Sequence, residues 1–177
     1  MRRASVLLAA LGALALGGCV VQPPPIPPVP TSVVVADTTV TVDVPPVSEV
    51  VGQSTDAGEC AIGSVRVRTG EASRDVLTVL ATTATAACPD EEPLNGRYPT
   101  WGPTDALPAD ATPVDVPGAA SAHRFAFDYT ECTNSCTTVT REVLLAIVDD
   151  DLAVMVLSGD VGEPGIVDAQ LASVRIG

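Results

Sequence analysis

Alternation with a period of two runs through much of this chain. Within Cys60 to Thr69, Val65-Arg66-Val67-Arg68 sends valines to one side and arginines to the other, which predicts a half-buried strand. From His123 to Val148 the pattern is clearest. Phe125, Phe127 and Tyr129 alternate with Arg124, Ala126 and Asp128, Cys132-Thr133-Asn134-Ser135-Cys136 turns the chain, and Val139 to Val148 runs back. This predicts a hairpin with a three-residue loop. With Cys132 opposite Cys136, Tyr129 faces Val139 and Phe125 faces Val143, so the aromatics share the core side. Arg141 then falls opposite Phe127, which requires a bulge or a snorkelling side chain.

Val143 to Val148 and Leu152 to Leu157 are apolar on both faces and are joined by Asp149-Asp150-Asp151. Strands of that kind sit at the centre of a sheet with cover on both sides. Gly165 to Ile176 offers Ile166, Val167, Ala169, Leu171 and Val174, which suit a short helix and a terminal strand or extension, the expected cover. Ser73 to Ala87 fits either a helical face, through Val76, Val79, Leu80, Ala84 and Ala87, or a Thr-rich branched strand; the composition favours the strand. Pro89 to Pro117 holds seven prolines and no sustained period, so it reads as a long irregular connection carrying Tyr98 and Trp101. A connection of that length is unusual unless it is used. Its aromatics serve either as a ligand contact or as packing that pins the loop over the core. The fold class expected is α+β, a mainly antiparallel sheet with a C-terminal helix packed on one face.

The first residues follow a different rule. Arg2 and Arg3 precede an eleven-residue apolar run, Val6 to Leu16, short of the roughly 20 residues that a membrane-crossing helix needs. It reads as the apolar part of a signal peptide. Leu16-Gly17-Gly18-Cys19 follows directly and resembles the lipobox of bacterial lipoproteins. The resemblance covers residues 1–19. It implies cleavage before Cys19, a diacylglycerol thioether on that sulfur, and a mature chain held at the extracytoplasmic face of the cell membrane. Two acyl chains meet the requirement for stable anchoring, since one alone binds only marginally.

Beyond Cys19, six of the nine residues from Gln22 to Pro30 are proline, which predicts a polyproline spacer rising about 3.1 Å per residue. Thr31 to Pro46 is rich in Val and Thr and low in complexity; it reads as more linker, with an early strand as the alternative. The expected division is residues 1–18 as signal peptide, 19–57 as lipidated cysteine and Pro-rich linker, and 58–177 as a single domain.

An oxidising compartment gives the remaining cysteines a purpose. Cys60, Cys88, Cys132 and Cys136 are an even set, most simply two disulfides. Of the three possible connectivities, Cys132–Cys136 with Cys60–Cys88 suits the local geometry, so the domain is expected to be disulfide-stapled.

Glu131-Cys132-Thr133-Asn134-Ser135-Cys136, with Leu94-Asn95-Gly96 upstream and Leu171-Ala172-Ser173-Val174-Arg175-Ile176 at the end, is similar to small uncharacterised actinobacterial lipoproteins with a PsbP-like α+β domain. That resemblance, over Leu94 to Gly177, implies the fold class and carries no catalytic residues with it.

Charge and the inventory of reactive groups narrow the function. After cleavage, seven arginines and no lysine stand against 22 acids, a formal charge of −15, which makes nucleic acid and anionic headgroups poor partners. His123 is the only histidine, no Gly-x-Ser-x-Gly elbow surrounds a serine, and no catalytic residue is assigned. Asp149-Asp150-Asp151 lacks the spacing of a calcium loop and Cys132-x3-Cys136 that of a redox pair; neither a metal site nor a cofactor is expected. The best-supported function is a binding or accessory module of the cell envelope, its partner an envelope protein, a glycan or a small ligand, with Tyr98 and Trp101 as candidate contacts. An exported enzyme using paired carboxylates on a glycan, or a structural spacer, are the alternatives.

Overall fold

The computed structural model describes residues 27–52, 60–69, 72–82, 106–132, 136–159 and 164–177. In chain order they form β1 (Val29–Val35), β2 (Thr38–Val44), β3 (Ser48–Val51), β4 (Cys60–Thr69), β5 (Ala72–Thr82), β6 (Thr112–Val114), β7 (Ser121–Cys132), β8 (Cys136–Ile147), β9 (Ala153–Ser158), α1 (Pro164–Ala172) and β10 (Arg175–Ile176). Three strands make one sheet in the order β1-β2-β10, and seven make another in the order β3-β4-β5-β9-β8-β7-β6. The fold is therefore mainly antiparallel sheet with one short helix near the C-terminus among the described residues.

The largest departure from the sequence reading lies at the start. Val29 to Val51 is folded structure, and the linker expected over 19–57 does not extend through it. In β2, Val40, Val42 and Val44 are buried while Thr39, Thr41 and Asp43 are half-buried, a strict alternation with one face on the core. Ala36 and Asp37, at φ 46° and 62°, form the two-residue turn that returns β1 into β2. Positive φ at both positions matches the twist of the flanking strands.

This hairpin is the cover that the central strands require. Val33, Val35, Val40, Val42 and Val44 pack with Ala61 and Val65 of β4, Val79 and Ala81 of β5, Val154 and Val156 of β9, and Leu144 and Ala146 of β8. Val167 and Leu171 of α1 join the same core. The helix thus extends a cover that is chiefly a second sheet. Contact between the sheets is close at Gly63 of β4, where a Cβ would collide with the Val33 side chain, and only glycine leaves that room.

The opposite face of the large sheet buries Leu80, Phe125, Val143, Leu145, Ala153, Met155 and Leu157. As expected, β9 is the middle strand and β8 its neighbour, with Asp149 and Asp150 exposed at the turn between them. The β7–β8 register matches the expectation residue for residue: Cys132 faces Cys136, Tyr129 faces Val139 and Phe125 faces Val143. Arg141 stands opposite Phe127 without a shift in register, so no bulge relieves the pair. One bulge does occur elsewhere, where Val65 pairs with Leu77 and Arg66 with Asp75. Inside the stretch expected to be irregular, β6 pairs with the edge of β7, and Pro113 is tolerated there because β6 is an outermost strand.

Candidate functional site

Three short segments distant in sequence meet at one end of the smaller sheet. They are Pro28 ahead of β1, Asp43 to Pro46 where β2 turns toward β3, and the outward side of α1. Pro164 opens the helix, a position where its missing N–H costs nothing. Val167 and Leu171, one helical turn apart, point into the core, which leaves Gly165, Ile166 and Ala169 exposed. Ser173 fastens the helix end to β2: its hydroxyl accepts from the Asp43 N–H at 2.8 Å and donates to the Gln170 carbonyl at 2.7 Å.

The result is a groove of about 450 Å³ with walls of proline, Val44, Ile166 and Ala169. Two of the lining residues, Asp43 and Gln170, carry buried polar atoms. Gln170 is 4% exposed and its Nε2 has no hydrogen-bond partner. Asp43 Oδ1 is likewise buried without one. Arg175 Nη2 stands 3.5 Å from that oxygen, near enough for attraction between charges though not aligned as a hydrogen bond. A donor with no partner and an acceptor held only by the charge of Arg175, both beside one apolar groove, require an explanation, because a buried polar atom without a hydrogen bond is costly.

A second, shallower concavity lies beside β6 and contains Asp110, Thr112, Arg124, Glu142 and Asp168. Arg124 Nη2 donates to Glu142 Oε2 at 3.1 Å and to Asp168 Oδ1 at 2.5 Å. Burial pushes the guanidinium pKa down, but the hydrogen bonds it donates to Asp168 and Glu142 and the two negative charges outweigh it, so the pKa is raised above its ordinary value. Glycoside hydrolysis needs open space between two carboxyl groups for the sugar and a water. Here the guanidinium fills that space. This ion cluster ties α1 to β7 and β8, and its geometry is that of a brace.

Cys19, Cys88, Tyr98 and Trp101 lie outside the described residues. Cys60, Cys132 and Cys136 sit on β4, β7 and β8 with their side chains outside the described set. The backbone places Cys132 opposite Cys136 and Cys60 opposite Thr82, six residues before Cys88. His123 is half-buried on β7 between Pro113 and Leu145. Among the described residues no three His, Cys, Asp or Glu side chains gather as a metal-binding group, and no helix is long and apolar enough to cross a membrane.

Gln170, Asp43 and the proline walls were not singled out by the sequence. The one signal available was a glutamine at the fourth position after Ile166, in a helix that also carries Asp168, and glutamine there ordinarily means a solvated face. No protein-family model matches this chain, and no curated protein or solved structure does either.

Proposed function

We propose that this chain is a membrane-anchored extracytoplasmic lipoprotein whose domain is a binding module of the cell envelope. The reading joins the lipobox resemblance at Cys19 to the groove, and the groove is the observation that carries it. It is open and mainly apolar, with a few polar groups on Asp43 and Gln170 of its lining, the usual composition of a small-ligand site. Among its lining residues it holds a single carboxylate, Asp43, and no Ser, Thr, Cys or His, so binding fits it better than hydrolysis. Two disulfides, Cys132–Cys136 at the mouth of the β7–β8 hairpin and Cys60–Cys88, belong to the same proposal; the support is the register of Cys132 opposite Cys136 and of Cys60 opposite Thr82, six positions before Cys88 in the sequence.

Two measurements test it. Cys19→Ala should move the protein from the membrane fraction to the soluble one, and retention would overturn the anchor. Protein purified from its own envelope and then denatured should release a small ligand seen by mass spectrometry, absent from an Ala169→Phe variant whose new ring fills the groove. Equal recovery of that ligand from the variant, or no ligand from either protein, would overturn the groove as the binding site.

A further inference from the structure

Resting on the groove as a binding site, we infer that its ligand is a separate, uncharged or zwitterionic amphiphile. One hydrocarbon chain lies along the apolar walls, and a neutral group able both to donate and to accept, such as a hydroxyl or amide, sits between Asp43 and Gln170.

Four observations lead to that class. The first is the collar. Val29, Val47 and Ile166 are 44%, 59% and 45% exposed, and they stand next to Pro28, next to Pro46 and in the groove wall itself. Exposed aliphatics continuous with an apolar groove mark an apolar partner. The second is the wall material. Pro28, Pro45 and Pro46 have no backbone N–H, so they cannot form the ladder by which an extended peptide adds to a sheet edge. Hydrocarbon needs no such partner.

The third is the polar pair. Gln170 Nε2 is a donor and Asp43 Oδ1 an acceptor, both buried and both without a hydrogen bond. A head group with one acceptor and one donor satisfies both, whereas an anionic oxygen satisfies only Gln170, and the cation nearby, Arg175, is already engaged by Asp43 Oδ1 at 3.5 Å. The fourth is the field of the whole domain, with seven arginines against 22 acids after cleavage. Such a field lowers the local concentration of anions.

The test uses the mature chain carrying Cys19→Ala, freed of bound lipid and titrated with a fluorescent monoacylglycerol and, in parallel, with the fatty acid of the same chain length at neutral pH. The monoacylglycerol should bind with saturation, raise the melting temperature, and exceed the fatty acid by about tenfold in affinity. Gln170→Leu should weaken monoacylglycerol binding by about tenfold, the loss of one hydrogen bond in a buried site, and Ala169→Phe should abolish it. Equal binding of the two probes, or undiminished binding by Ala169→Phe, overturns the inference. If neither probe binds while envelope-purified protein still releases a ligand that Ala169→Phe lacks, the amphiphile is wrong and the binding site stands. If no ligand is released and no probe binds, both fall.

Discussion

A chain that begins at Val47 should not fold. It retains β3 through β10 and loses only the β1–β2 hairpin, which the sequence pattern alone assigns to a linker. Val33, Val35, Val40 and Val42 are fully buried and Val44 is 1% exposed. Each buried valine is worth about 1.5 to 3 kcal/mol, so the five contribute about 8 to 15 kcal/mol. That is an upper estimate, because an unfolded chain already hides some apolar surface. It is still of the same size as the whole 5 to 15 kcal/mol by which a domain of this size is ordinarily stable. Removal also exposes the facing side chains Val65, Val79, Val154 and Val156, each at most 1% exposed in the intact fold, and takes away the strand that pairs with β10. The assay is urea unfolding followed by far-ultraviolet circular dichroism, on chains starting at Pro27 and at Val47. The longer chain should show one cooperative transition and the shorter none. A transition in the shorter chain with the same midpoint and slope would refute the reasoning, since the slope reports the surface that folding buries.

Two further outcomes follow from the packing. Gly63→Ala places a methyl where the Val33 side chain sits, and overpacking of this kind costs about 1 to 3 kcal/mol; an unchanged melting temperature would mean that the sheets do not approach as closely there. Arg124→Ala removes a partly exposed ion cluster with Glu142 and Asp168 and should cost about 1 kcal/mol or less. The folded-state pKa of Arg124 is raised above its unfolded value, so its stabilisation is complete below the unfolded value and is lost only as pH rises through the folded one, in strong alkali. The stability difference between wild type and Arg124→Ala should therefore stay flat from neutral to mildly alkaline pH, and a drift there would refute the assignment.

The elements that the sequence made legible are those whose partners are their neighbours in the chain. The β7–β8 hairpin could be registered to the residue because its two strands are consecutive in the chain and their alternation is regular, with Phe125 buried opposite Val143. The apolar runs of β8 and β9 marked the centre of the sheet for the same local reason, and α1 emerged from its own spacing. The β1–β2 hairpin had an equally regular signal, Val40, Val42 and Val44 alternating with Thr39, Thr41 and Asp43. Prolines on both sides and the low complexity of the stretch outweighed it. What decides in favour of strand is a demand from elsewhere: β8 and β9 are apolar on both faces, a single nine-residue helix is too small to cover one of them, and a second sheet was needed. The groove was not legible at all. Its walls come from residues 28, 43–46 and 165–170, and no local pattern joins positions so far apart.

The groove also depends on how the chain ends are tied. Gly177 and Thr39 exchange backbone hydrogen bonds at 2.9 and 3.0 Å, and the Ile176 N–H donates to the Pro117 carbonyl at 2.8 Å. Gly118, at φ 90°, lets the chain pass against the Ile176 backbone, where a side chain would collide. The last residues therefore hold the small sheet to the segment that leads into β7, while Ser173 holds α1 to β2. One wall of the groove belongs to the first hairpin and the other to the last helix, and neither keeps its place without the other. A ligand seated between them binds only the assembled fold, so it must stabilise that fold by mass action, by about 2.7 kcal/mol at a free concentration one hundred times its dissociation constant. Gln170 Nε2, which weakens the empty fold by being buried without a hydrogen bond, is then an atom through which occupancy returns stability to the helix and the hairpin together.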